Sequence, residues 1–175
     1  MDRRAEKTER SLRDALHALI GEKPYERISV REILGRARVG RTTFYAHFRS
    51  KDELLRNGLD DVIGFSAPRS ILSFSRPIFE HHARHRARAG ARLTARAQAR
   101  LHRRLQGLLE DIIVQRLHLN EGRRSSTMPA RLVAQWVAAT FIVVLNWWIE
   151  SGAALSPAEV DGVFRALTVP ALQGM

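Results

Sequence analysis

Ile28-Ser-Val-Arg-Glu-Ile-Leu-Gly-Arg-Ala-Arg-Val-Gly-Arg-Thr-Thr-Phe-Tyr-Ala-His-Phe-Arg-Ser-Lys51 reads as two short helices joined by a tight turn. Ser29 and Glu32 form a capping box that opens the first of them, with the Ser oxygen on an early N–H and the Glu reaching back to the cap. Val30, Ile33, Leu34 and Ala37 give it an apolar face. Arg38-Val39-Gly40 is the connection, and the next helix runs to about Phe48. Ser50 and Glu53 repeat the capping box and open another helix. The middle helix carries small hydrogen-bonding side chains, an Arg and a Tyr, a set suited to the DNA major groove.

A major-groove reader needs a rigid helix pair, exposed polar residues over the bases and flanking groups for phosphates. Val39, Phe44 and Phe48 are expected to pack inward on Ile33 and Leu34. Arg41, Thr42 and Thr43 fall in the first turn of the reading helix. Arg can donate two hydrogen bonds to guanine, and the Thr methyl suits that of thymine. Tyr45 and His47 lie further along as phosphate contacts, His47 equally able to cap or pack. Lys51 and the free N–H groups around it attract a phosphate at the start of the next helix. Ser29 is similarly placed, although capping can occupy its side chain.

Outward from this stretch, helical periodicity recurs and strand signals are nearly absent. Leu12, Ala15, Leu16, Leu19 and Ile20 form the stripe of a helix over roughly residues 4–21, stopped by Gly21 and Pro24. Leu54, Leu55, Leu59, Val62 and Ile63 continue the helix opened at Ser50, and Gly64 to Pro68 is a break. Pro77 suits a first helical position, and Gly90 divides the Ala-, Arg- and Leu-rich run from Ala83 to Gln106. Leu101, Leu105, Leu108, Leu109, Ile112 and Ile113 form a further stripe, followed by a loop from Asn120 to Ser126. Pro129 opens a long apolar helix to about Ser151. Ser156-Pro157-Ala158-Glu159 caps a last helix through Val160, Val163, Phe164 and Leu167, ended by Pro170.

The net charge of +11 is uneven. Residues 1–56 carry 14 Lys and Arg against 9 Asp and Glu, and residues 81–124 carry 11 against 3. A basic N-terminal quarter fits phosphate contact. The second block, with Arg84, Arg86, Arg88, Arg92, Arg96, Arg100, Arg103 and Arg104, reads as solvated helix faces, with an anionic ligand as the alternative. Glu80, His81, His82 and His85 invite a metal reading, but the remaining ligands and a supporting carboxylate are not evident, and no metal is expected. With no cysteine, disulfides and cysteine-based zinc sites are excluded. HExxH, P-loop and G-x-S-x-G motifs are lacking, so no enzyme and no cofactor is expected. The charged N-terminus has no signal-peptide core behind it, and a cytoplasmic location is expected.

Thr43-Phe44-Tyr45-Ala46-His47-Phe48 followed by Ser50-Lys51-Asp52-Glu53-Leu54-Leu55 resembles the T-F-Y-x-H-F-x-S-K-x-x-L pattern of the TetR family of bacterial transcriptional regulators. Ile28-Ser29-Val30-Arg31-Glu32-Ile33 agrees with it upstream, and the resemblance covers about residues 8–60. Arg38 stands where the family usually has Gly, and Gly40 where it usually has a Ser or Asn cap. An Arg in a left-handed turn costs about 1 kcal/mol relative to Gly.

The resemblance implies an all-α fold. A three-helix DNA-binding domain at 1–50, linked by a helix at 51–64, precedes a helical effector-binding and dimerisation domain at 65–175. It also implies a homodimer formed through the last two helices, about 129–151 and 156–169, on palindromic operator DNA. A small-molecule effector in the C-terminal domain would release the operator. Phe74, Phe79, Trp136 and Phe141 are candidate pocket aromatics, each equally an ordinary core residue. Trp147, Trp148, Val160 and Phe164 are candidates for the dimer interface. No charge falls between Arg131 and Glu150, a run near the lower end for a membrane span. Its polar interruptions and the capped helix after it argue instead for a helix covered by protein, and no membrane is expected. The alternative function is a basic helical module, membrane-associated or binding anionic ligands, without sequence-specific DNA binding.

Overall fold

The computed structural model describes residues 3–64, 70–86, 95–120 and 128–174. All regular structure among them is helical: α1 (Arg3–Glu22), α2 (Val30–Ala37), α3 (Arg41–His47), α4 (Lys51–Ile63), α5 (Ser75–Arg86), α6 (Ala95–Asn120), α7 (Ala130–Ser151) and α8 (Pro157–Gln173). A single 3-10 turn, Tyr25–Arg27, sits between α1 and α2. The chain divides into two compact units, Met1–Asp61 with His85–Leu101, and Val62–Arg84 with His102–Met175.

The first unit is built on the α1 stripe. Leu12, Ala15, Leu16 and Leu19 are buried at the i, i+3, i+4, i+7 spacing of one helical face. They meet Ile33 from α2, Phe44 from the middle of α3, Phe48 just after it, and Leu54 from α4. Leu34 and Val39 are half-buried against the same core, as their positions predict, and Leu101 joins them from α6. Tyr25, which the hydrophobic pattern does not single out, is buried with Ile28 in the same cluster. The break expected at Gly64–Pro68 begins where α4 ends: Gly64 has φ 70°, and residues 65–69 lie outside the described ones.

In the second unit the apolar α7 buries Val133, Ala134, Val137, Ala138, Phe141, Ile142, Val144, Leu145 and Trp148. Helix α8 packs on it through Val160 and Phe164. A polar tie closes this unit. Buried Asp161 accepts from the Ser75 hydroxyl and from Arg165 Nε at 2.7 Å, while Ser75 Oγ also donates to the Leu72 carbonyl at 2.8 Å. Two sequence expectations shift. Pro77 is the third residue of α5, not its first. Pro170 does not end α8, which continues to Gln173. In the exposed last turn the one lost N–H bond is tolerated, and the Pro170 carbonyl still accepts from Gly174 N at 3.3 Å. The division expected at Gly90 and the loop from Glu121 onward fall outside the described residues.

Candidate nucleic-acid interface

Helix α2 begins as its sequence requires. Ser29 lies in the β region, its hydroxyl accepts from Glu32 N at 3.3 Å, and Glu32 Oε2 accepts from Ser29 N at 2.9 Å. Lys23 also pairs with Glu32. These contacts, the Lys23 ammonium foremost, then the Ser29 amide and hydroxyl, hold the Glu32 carboxyl down to about 2. A second clamp joins α1 to α2: Arg36 meets Glu22 at 2.6 Å, and that hydrogen bond lowers the Glu22 pKa and raises that of Arg36.

The turn after α2 is made by Arg38 in the left-handed region, φ 55° and ψ 41°. Its N–H and that of Val39 both return to the Leu34 carbonyl, the latter at 3.2 Å. Those bonds satisfy the end of α2 and redirect the chain within three residues. Gly40 then takes the extended cap conformation of α3 without a side-chain cap bond. The two departures from the family pattern therefore leave a complete turn, with Arg38 adopting the backbone that a glycine would.

Phe44 and Phe48 are buried and lie i, i+4, with ring centroids 5.9 Å apart. They fix which side of α3 faces the core. Arg41, Thr42, Thr43, Tyr45 and Ala46 are left exposed, Tyr45 by 49%. The Arg41 guanidinium stands 5.6 Å from the centre of the Tyr45 ring. The result is a short helix, locked from one side, presenting an Arg, two hydroxyls, a phenol and a methyl together. Ala46 was not among the expected contacts, although its methyl shares this surface.

The flanking candidates are engaged within the chain. Ser29 is used by its capping box. His47 Nδ1 faces Glu9 Oε1 of α1 at 3.2 Å. Lys51 Nζ donates to the carbonyls of Ile28 at 2.8 Å and Tyr25 at 2.9 Å, with Glu26 O at 3.4 Å, and lies 4.5 Å from the Tyr25 ring centre. The phosphate role read from sequence for Lys51 would require it to give up these carbonyls. Tyr25 OH donates to Asp52, so α4 is tied to that turn by consecutive residues. Arg13 ties it to α1 through Asn57 Oδ1 at 2.8 Å. Apart from the Ser29 capping box, none of these partners was legible beforehand. Each of the others joins residues more than twenty positions apart, and no local pattern encodes such a pairing.

The C-terminal candidates separate into two sets. Phe74, Phe79 and Phe141 are fully buried and touch one another, with Phe74–Phe141 centroids at 5.2 Å and Phe79–Phe141 at 4.8 Å. Trp136 is half-buried. Among the interface candidates, Trp148, Val160 and Phe164 are buried in their own chain, with Trp148 Nε1 donating to Leu155 O at 3.1 Å. They are core residues and do not present themselves to a second copy. Trp147 is 44% exposed, in company with Leu132, Val143, Val163 and Leu167. The His82 ring centre lies 5.7 Å from that of Trp148, with the two rings tilted by 59°. Buried His102 bonds Asn146, and burial lowers its pKa against the opposing effects of Asn146 and Glu150.

Residues 12–57 match the family model described as bacterial regulatory proteins, tetR family. The chain is similar to that family over about a quarter of its length. Its fold is shared with a TetR transcriptional regulator from Streptococcus agalactiae 2603V, at 21% identity and a TM-score of 0.52 over 95% of this chain and 96% of the other. The dihydroxyacetone kinase operon activator DhaS gives a TM-score of 0.52 at 15% identity, over 92% and 96%. A TetR-family regulator from Syntrophomonas wolfei gives 0.51 at 18% identity, over 93% of each chain. No curated protein matches in sequence. The TetR-like DNA-binding region thus coincides with the segment in which α2, the turn and α3 are capped, packed and exposed as a groove reader demands.

Proposed function

We propose that this TetR-like regulator is a homodimeric repressor that reads a palindromic operator through α3 and is released by a small molecule held in its second unit. The observation that carries the reading is α3 itself, buried through Phe44 and Phe48 while Arg41, Thr42, Thr43 and Tyr45 stand exposed together. Arg41 and the threonines meet base edges, and Tyr45 donates to a phosphate. Ser29, His47 and Lys51 hold the helices from the flanks through the contacts they already make.

A dimer is supported by the outer surfaces of α7 and α8. Leu132, Val143 and Trp147 on one, and Val163 and Leu167 on the other, are large apolar side chains left in water. A single copy has nothing to gain from exposing them, and a second copy covers them with the same surface. The same burial favours a protein core over the membrane reading of α7: half of its most apolar window is already covered within the chain. Effector binding is supported by the aromatic cluster of Phe74, Phe79 and Phe141. Because these rings touch, a ligand entering there must part them, and it shifts the regulator only by preferring the parted state.

Selection of genomic fragments bound by the purified protein tests the reading. The expected outcome is an inverted repeat whose half-sites are separated by about one or more turns of roughly 10 base pairs. Retention of fragments without any shared sequence would overturn it.

A further inference from the structure

Among the described residues, three have a left-handed backbone. Gly64 follows α4 and Gly152 caps α7, both with the residue that takes this conformation without strain. The third is Arg38, between α2 and α3. An Arg there carries a Cβ against the neighbouring carbonyl, and a non-glycine residue persists in this region when something offsets the strain. The Arg38 side chain contributes nothing to that offset among the described residues: it is exposed and makes no hydrogen bond or ion pair with another of them. The turn itself needs only the Arg38 backbone, whose N–H bonds Leu34 O.

Its position supplies a use for the charge. Arg38 is three residues before Arg41, so their Cα atoms are at most about 11 Å apart. The major groove is about 12 Å wide. From that close to a helix seated in the groove, a long exposed guanidinium can reach a phosphate of the bordering strand. The acidic residues of this helix pair have other partners, Glu32 in Lys23 and Ser29 and Glu22 in Arg36.

We infer that Arg38 is a DNA phosphate clamp built into the turn, a binding residue additional to those on α3, retained at the expense of backbone strain. The inference rests on the groove-reading function of α3. A phosphate contact is independent of sequence, so a 30-base-pair duplex of arbitrary sequence is a sufficient probe. Affinity for it would be measured between about 50 and 200 mM salt for the wild type, Arg38→Asn, Arg38→Gly and Arg38→Lys. Asn tolerates the left-handed turn and Gly relieves it, so both neutral variants are expected to fold, with unfolding midpoints no lower than the wild type's.

In both, the slope of log affinity against log salt should become shallower by about 0.9 for each protomer on the duplex, and Arg38→Lys should restore it. An unchanged slope in the neutral variants, or a Lys variant no better than Asn, overturns the clamp while leaving DNA binding intact. A wild type that binds no duplex at all overturns the groove-reading function as well.

Discussion

At the scale of single residues, the first unit is held by charged side chains that turn inward onto its own backbone and caps. Lys51 is the clearest instance. Its ammonium gathers the carbonyls of Tyr25 and Ile28, while Asp52 takes the Tyr25 hydroxyl. Glu32 is another, bound by Lys23 and by both polar groups of Ser29. Its carboxyl titrates at about 2 in the folded chain, well below its ordinary value. A carboxyl depressed by folding contributes stability that is whole above the unfolded pKa, about 4.3, and fades as pH falls through the folded one. Glu32→Ala should therefore lower the melting midpoint at neutral pH, and the gap from wild type should narrow as pH drops from about 4.3 towards about 2. Melting curves across that range check it; a gap independent of pH would show that Glu32 acts without its charge.

At the scale of elements, α3 is too short to stand alone. Seven residues form barely two turns, below the length at which isolated helices persist. Its position is imposed by Phe44 and Phe48, which anchor its middle and its C-terminal end in the α1–α2–α4 core. Phe44→Ala should cost about 3–5 kcal/mol of unfolding free energy, the usual price of an aromatic cavity in a packed core. Denaturant titration measures it, and a loss under about 1 kcal/mol would mean that α3 is held by its exposed side instead. The element boundaries were largely legible because caps are local. Ser29/Glu32 and Ser156/Glu159 each close a capping box in the structure as their spacing predicts. The 3-10 turn at Tyr25 was not, since its stability comes from Lys51 and Asp52, more than twenty residues away.

At the scale of the molecule, assembly depends on which apolar residues the chain leaves uncovered. Leu167 is 56% exposed and Val163 36%, whereas Val160 and Phe164 on the same helix are buried. Leu167→Glu should convert the proposed dimer to monomers without unfolding them, and sedimentation with circular dichroism separates the two effects. A dimer that survives would place the interface elsewhere. Polar substitution of Phe164, by contrast, should unfold the second unit, because a fully buried ring has no solvent-facing position to offer the polar atom.

Sequence alone determined the helical class, the capping box that opens α2 and the exposed side of α3. These follow from nearest-neighbour geometry: helical period, cap spacing and the burial of one face. At Ser50 only half of the expected box forms, Glu53 accepting from Arg49 N at 2.6 Å and not from the Ser50 amide. The tertiary structure alone decided that Lys51 turns inward, that Arg38 takes up a glycine's backbone, and that Val160 and Phe164 are core while Val163 and Leu167 are surface. An apolar helix in sequence has several faces able to be buried, and only the neighbour that arrives selects one.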